Sequence, residues 1–389
     1  MIPYGKQSIS DEDIKAVVDV LKSDWLTQGP KVPEFEQAVA EYVNVKHAVA
    51  VNSATSALHI ACLALGVTKA DEVWTSPNSF VASANCALYC GASIDFVDID
   101  LSTGNMCLNA LEAKLKARQQ TNQPLPKVVI PVHFAGQPCD MDTLHTLSVQ
   151  YGFKVIEDAS HAIGGTYLDS SVGSCTYSDI TVFSFHPVKI MTSAEGGIAT
   201  TNCKKLARKM QLLRSHGVTN LESEMTESSH GPWYYQQIEL GFNYRLTDLQ
   251  AALGISQLTR VKEFVTKRNQ MAENYLELLK QSNDIIPLAV KNDRLSAFHL
   301  FVVRLPNLNH DTHAKVVTYL RAQGVFAHVH YIPIHLQPYY QQLGFKKGDY
   351  PNAELYYQQA ITLPLYPELT MKQQTHVISA LNNAIKEYC

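Results

Sequence analysis

The sequence predicts an α/β protein, a mostly parallel sheet covered by helices on both faces and followed by a smaller C-terminal α+β unit. Two observations lead there. Short runs of apolar, β-branched residues alternate with stretches of helical periodicity from about residue 45 to residue 200, the pattern of strands buried on both faces. After Asn243 the pattern changes to long helices and a few later strands. The division is placed near residue 250, giving residues 1–250 as the large domain with the N-terminal segment and 251–389 as the small one. A chain of 389 residues, 46% of them apolar, can fill two such cores.

In chain order, Ser10 before Asp11, Glu12 and Asp13 marks a capped helix start whose acidic first turn suits the helix dipole. Ile14, Val17, Val18 and Leu21 continue it at helical spacing. The Gly-Pro loop WLTQGP, residues 25 to 30, precedes a helix over 32–42. AVAVNS (48–53) reads as a buried strand entering the helix SALHIACLAL, and DEVWTSP (71–77) as a strand before the helix SFVASANCALYCG. IDFVDID, KVVIPVHF, FKVIEDAS and ITVFSFH are further strands. Thr247 with Gln250 forms a capping box, and Leu249, Leu253, Leu258 and Val261 predict one long helix running toward residue 280. AFHLFVVRLP and VFAHVHYIPIH read as strands, with helices over 313–323 and 371–388.

Composition narrows the function classes. The net charge is −4, with Lys and Arg scattered, which disfavours a nucleic-acid surface. The eight cysteines, Cys62, Cys86, Cys90, Cys107, Cys139, Cys175, Cys203 and Cys389, contain no CxxC pair, so no zinc site is expected. No apolar run reaches membrane-spanning length, and MIPYGKQSIS lacks the build of a signal peptide. The expectation is a cytoplasmic protein with free thiols.

In an open parallel sheet, ligands bind beyond the carboxyl ends of the strands, so residues that follow strands carry the information. NSATSALH (52–59) puts Ala54 and Thr55 where a strand becomes a helix, a position that can hold a phosphate or simply be a capped turn. FKVIEDASHA (153–162) ends a strand on Glu157 and Asp158, fit to hold a proton on a ring nitrogen, to bind a metal, or to cap a helix. In SFHPVKIMTSAEGG (184–197), Ser184 ends a strand and Lys189 follows among apolar, hydroxyl and glycine residues. A lysine in a partly dry pocket has a lowered pKa and acts as an amine nucleophile. GFNYRLTDLQAA (241–252) sets Asn243 and Arg245 before the capping box. Together, in this order along one sheet, these features describe a pyridoxal phosphate site.

These motifs, with SPNSFVASAN, VHYIPI and ITLPLYP, resemble the DegT/DnrJ/EryC1/StrS sugar aminotransferases from WLTQGP almost to the C-terminus. The resemblance implies the fold type I architecture of PLP-dependent aminotransferases, with pyridoxal 5′-phosphate as cofactor and its pyridoxamine form as the intermediate carrier. It implies Lys189 as the catalytic residue, carrying the cofactor's aldehyde and moving the proton. Asp158 would bind the pyridine nitrogen, Phe80 would stack on the ring, and Ala54, Thr55 and Ser184 would hold the phosphate. His161 would lie near the cofactor, where many relatives have Gln. Asn243 would reach the phosphate in the neighbouring subunit, making an obligate homodimer with shared sites. Tyr4, Thr27, Arg245, His330 and Tyr331 match the substrate cleft.

The branch most resembled acts in pseudaminic acid synthesis, implying transfer from L-glutamate to C4 of a UDP-linked 4-keto-6-deoxy-N-acetylhexosamine. Three rivals remain open: a transaminase for another nucleotide 4-keto sugar (a UDP-pentose, or a GDP- or dTDP-hexose), a non-catalytic PLP-binding regulator, and a metal-dependent enzyme using Glu157, Asp158 and histidines. A sugar dehydratase of the same family is disfavoured, because that branch replaces the lysine with histidine. The segment 218–235 matches no motif and is expected to be a mobile active-site loop.

Overall fold

Every apolar run expected to form a strand before residue 200 enters one seven-stranded sheet in the computed structural model, which describes residues 1–280 and 282–388, leaving Cys389 outside. Its strands are β1 (His47–Val51), β2 (Glu72–Thr75), β3 (Ser93–Phe96), β4 (Val128–Ile130), β5 (Lys154–Asp158), β6 (Ile180–Ser184) and β7 (Gly197–Thr201). They lie in the order β1-β7-β6-β5-β4-β2-β3. All pairings are parallel except those of β7, which runs antiparallel to both β1 and β6. The reversal brings the first residue of β7, Gly197, beside Val51 and Ser184, the last residues of its two neighbours. Helices cover both faces, so Val49, Val51, Val128, Ile130 and Val182 are fully buried, as near-continuous apolar strands require.

The helix starts follow their local chemistry. Ser10 and Asp13 form a capping box at the head of Asp11–Leu21, and Thr247 and Gln250 form another at Asp248–Leu258. Val32, Phe35, Val39 and Val43 form the buried stripe of Lys31–Val43, which ends at Asn44 in the left-handed region with φ +57°.

A second core gathers Tyr275, Phe301, Val303, Leu320, Val325, Ile361, Leu363 and Leu381. The strand Phe301–Arg304 pairs there with Ala360–Leu363. Ile2 joins this core by pairing with Val325, so the N-terminus packs on the C-terminal unit.

Three expectations change. The single long helix after Thr247 is two, Asp248–Leu258 and Val261–Leu279. Arg260 stands at the N-terminus of the second one without a side-chain cap, its guanidinium 4.6 Å over the Phe264 ring. VFAHVHYIPIH is a strand only over Val325–Phe326. Beyond it, His328 keeps a bridge to Thr362, and the chain then bends so that His328, His330 and Tyr331 all reach one cavity. The segment 218–235 leads back through a pairing of Val218–Thr219 with Gln236–Gln237. It leaves Trp233 and Tyr235 exposed and gives the cavity of its own chain no residue.

Candidate active site

A cavity of about 850 Å³ opens at the carboxyl ends of the parallel strands. It is lined by residues that follow β1 (Asn52 to Ser56), β2 (Ser79, Phe80) and β4 (Val132), and by the ends of β5 (Asp158) and β6 (Ser184). His186, Val188, Lys189 and Glu195 come from the connection between β6 and β7, and Tyr4, His328, His330 and Tyr331 close the cavity from the C-terminal unit's side.

Strand alternation resolves the pair of acids that ends β5. Successive side chains point to opposite faces, so Asp158 faces the cavity and Glu157 points away from it. Asp158 accepts hydrogen bonds from Ser160 N at 3.1 Å, Ser160 Oγ at 2.6 Å and Ser83 Oγ at 2.6 Å. Glu157 accepts from Ser178 and from Thr181 Oγ1 at 2.9 Å, and lies 2.7 Å from His133 Nε2. Burial alone would push the Glu157 carboxyl up, but His133, Ser178 and Thr181 together hold it below the usual range. Because the Cys139 amide donates to His133 Nδ1, Nε2 carries the proton given to Glu157.

Lys189 sits in a turn, its amide donating to His186 O at 2.9 Å. Burial lowers its ammonium to about 8, with the negative charge of Asp158 opposing the shift. About a tenth of the amine is therefore neutral and nucleophilic at pH 7, against far less for an ordinary lysine. Phe80 is 60% exposed, and that exposure faces a cavity it lines, leaving a flat aromatic surface for a ring.

At the other end, Ser53 caps the helix Ala54–Ala64 by accepting from Ser56 N at 3.1 Å. Ala54 and Thr55 belong to the first turn, whose N–H groups lack intrahelical partners. A Cβ on Gly197 would come within 2.4 Å of Ala54 N, so only glycine lets β7 start this close to the turn.

His161 lies between the cavity and the interior. Its Nε2 is 3.2 Å from the Tyr331 hydroxyl, its ring is 4.4 Å from that of His299, and its buried Nδ1 has no partner. Burial, aided by the charge of Lys189, holds its pKa well below the ordinary value, so the ring is neutral. Burial likewise lowers His330 to about 3, and its Nδ1 lies 2.9 Å from Thr362 Oγ1. The Tyr4 ring stands 5.4 Å from His328 and 5.2 Å from His330.

Of the residues singled out in sequence, Tyr4, Ala54, Thr55, Phe80, Asp158, His161, Ser184, Lys189, His330 and Tyr331 converge on this cavity. Thr27, Asn243 and Arg245 do not line it. Thr27 is exposed and bridged to Thr247, and Asn243 is exposed and bridged to Ser215. Sequence reasoning missed Ser83, His186, Glu195, Gln250 and His328. Only His328 had a readable signal, since HVH places it on the same face as His330 two residues on.

This donor set fits pyridoxal phosphate. It offers a buried amine beside a carboxylate, an aromatic face, a helix N-terminus packed against a glycine, and a buried imidazole nitrogen still lacking a partner.

The sheet order with one reversed strand, and a lysine beside a carboxylate at the strand ends, define a fold type I aminotransferase. Residues 7–382 match the DegT/DnrJ/EryC1/StrS aminotransferase family, and the chain belongs to it. The spore coat polysaccharide biosynthesis protein SpsC of Bacillus subtilis is 39% identical over 99% of this chain and 97% of its own. A UDP-4-amino-4,6-dideoxy-N-acetyl-beta-L-altrosamine transaminase of Campylobacter jejuni is 37% identical over the whole of both chains. Among solved structures, Helicobacter pylori PseC, an aminotransferase involved in pseudoaminic acid biosynthesis, superposes over both full chains with a TM-score of 0.91 at 32% identity.

Proposed function

We propose that this aminotransferase moves an amino group from L-glutamate to C4 of a UDP-linked 4-keto-6-deoxy-N-acetylhexosamine, the step found in pseudaminic acid synthesis. The observation that carries the reading is the Lys189 amine, partly neutral near pH 7, held beside Asp158 at the strand ends. The UDP-linked acceptor rests on the likeness to the Campylobacter transaminase.

The cofactor is pyridoxal 5′-phosphate. When bound, it supplies an aldehyde that takes up the amino group and a ring that draws off the electron pair released at the donor carbon. Lys189 is the residue that would hold the aldehyde. Its free amine would carry a proton to and from the donor's α-carbon, serving as both acid and base across the two half-reactions. Asp158, fixed by Ser83 and Ser160, keeps a proton on the ring nitrogen. Phe80 stacks on the ring, while Ala54, Thr55 and Ser184 bind the phosphate. Neutral His161 sets its Nε2 3.2 Å from the Tyr331 hydroxyl and leaves its Nδ1, without a partner in the protein, for a cofactor oxygen.

Tyr4, His330 and Tyr331 face the sugar. Thr27, Asn243 and Arg245 act across a homodimer interface, Asn243 on the partner's cofactor phosphate and Arg245 on a diphosphate. The expected location is the cytoplasm.

The likeness to SpsC favours a second reading, a transaminase for a different nucleotide 4-keto sugar. One experiment separates the two. The protein is loaded with pyridoxamine phosphate and mixed in turn with nucleotide-linked 4-keto sugars, and return of the yellow Lys189-bound cofactor is followed. Colour with the L-altro-configured UDP sugar alone supports the first reading. Colour only with another sugar moves the acceptor to the second. No colour with any sugar, while L-glutamate still bleaches the pyridoxal form, leaves the donor half and refutes both acceptors.

A further inference from the structure

Two buried histidine rings meet behind the cavity, their centres 4.4 Å apart, and only one of them lines it. His161 follows β5 and belongs to the lining, whereas His299 stands two residues before the strand Phe301–Arg304 and does not. His161 has one polar contact in the protein, Nε2 at 3.2 Å from the Tyr331 hydroxyl, and its Nδ1 is left without a partner. A single contact of that length leaves the ring free to tip, and the terminal torsion of a histidine has no sharp preference to stop it. The rings of Phe134 and Tyr331 lie 6.2 and 6.3 Å away, so His299 is the nearest ring that bears on its face.

The backbone that carries His299 is closely fixed. Ala297 N donates to Gly136 O at 3.0 Å and Leu300 N to Ala135 O at 3.2 Å, docking the segment on the turn Phe134–Gly136. Gly136 has φ +103°, and a Cβ there would come within 2.7 Å of Phe298 N, 2.9 Å of His299 N and 3.0 Å of His161 O. One glycine therefore lets the backbones of both histidines close on the same turn. From the other side, the buried guanidinium of Arg268 donates to Phe298 O at 3.2 Å, His299 O at 3.3 Å and Leu365 O at 3.0 Å. Phe298 is held at φ +46°, a conformation that a bulky residue adopts only when its surroundings impose it.

We propose that His299 is a positioning residue, whose ring holds that of His161 in the one orientation that serves the cofactor. Burial, with Lys189, His330 and His133 acting the same way, keeps His161 neutral. Burial, with His161, Lys189, Arg268 and His330 adding to it, keeps His299 neutral too, and burial keeps the Tyr331 hydroxyl protonated. The contact is thus one between uncharged rings, and its effect is on orientation. The inference rests on the reading above that His161 serves the cofactor.

The test titrates the holoprotein with no substrate present and follows the visible absorbance of the bound cofactor against pH. His161→Ala should move the midpoint by about one to two units, the shift that losing a hydrogen bond to a charged group produces. His299→Ala should move it in the same direction by a large part of that shift. His299→Phe, which restores a flat face, should bring it back toward wild type. The double variant should shift no further than His161→Ala alone, because His299 acts through His161. Where His299→Ala folds poorly, His299→Leu fills the space without a flat face and stands in for it. A wild-type midpoint in that variant, or shifts that add in the double variant, would overturn the proposal and leave His161 on the cofactor. An unmoved midpoint in His161→Ala would instead remove His161 from the cofactor, and the proposal with it.

Discussion

Ser83 gives its hydroxyl hydrogen to Asp158 Oδ2 across 2.6 Å, tying the helix after Phe80 to the end of β5. The Ser83 hydroxyl is buried and is also 2.7 Å from Ser79 Oγ, so the carboxylate is fixed by a relay from one cavity wall to another. A hydrogen bond to a charged group contributes about 1.5–3 kcal/mol. Ser83→Ala therefore weakens retention of the cofactor by roughly ten- to a hundredfold, at about 1.4 kcal/mol per decade. Equilibrium dialysis of the variant, read by cofactor absorbance, checks this. Retention equal to wild type would mean that Ser160 alone fixes Asp158.

A second prediction follows from the drying of Lys189. Its amine must be unprotonated to take the aldehyde, and burial brings its pKa from 10.5 to about 8. Capture of pyridoxal phosphate by the apoprotein should accelerate as pH rises through 8 and then level off. Asp158 opposes the shift, so Asp158→Asn should move the midpoint to lower pH. For stability the sign is the same. The folded pKa lies below the unfolded one, so the cost of a buried ammonium is fully present below pH 8 and fades between pH 8 and 10.5. Stopped-flow capture rates across that range test the idea, and a midpoint near 10 would sink it. Lys189→Ala should lose about 10³-fold or more in turnover, the upper reach of general acid–base contributions.

Much of this was readable because the ligand edge of a parallel sheet is built from residues directly after apolar runs. Ala54, Asp158, Ser184 and Lys189 all stand there, so their places follow from the strands. The reversal of β7 was not readable, since GIATT is as apolar and β-branched as the parallel strands and carries no mark of direction. Nor was the break at Thr259–Arg260, where no Gly or Pro interrupts the apolar spacing from Leu258 to Val261. Ser83 was out of reach for another reason. It lies 75 residues from Asp158 and meets it only once the sheet has formed. The resemblance already favoured Asp158 over Glu157; the residue types alone could not, since that choice rests on the strand's phase, which the backbone supplies.

The last prediction concerns Asn243, which is exposed, bridged to Ser215 and absent from the lining of its own cavity. Thr27 is held on the same side of the chain. The Asp248 carboxylate accepts from Gly29 N at 3.2 Å and Lys31 N at 3.4 Å, docking the loop that carries Thr27 beside the segment that carries Arg245. A polar edge of this kind, next to a site but outside it, is suited to serve the site of a symmetry mate, because a two-fold interface presents each patch to its counterpart. If Asn243 acts across the interface, Lys189→Ala and Asn243→Ala chains are each nearly inactive alone. In the mixed dimer, one site has lost both groups, and the other keeps Lys189 of one chain and Asn243 of its partner. Refolding the two variants together in equal amounts should then restore about a quarter of wild-type activity, from half the dimers with one sound site each. A mixture no more active than its parents would put Asn243 to work within its own chain, and with it Thr27 and Arg245.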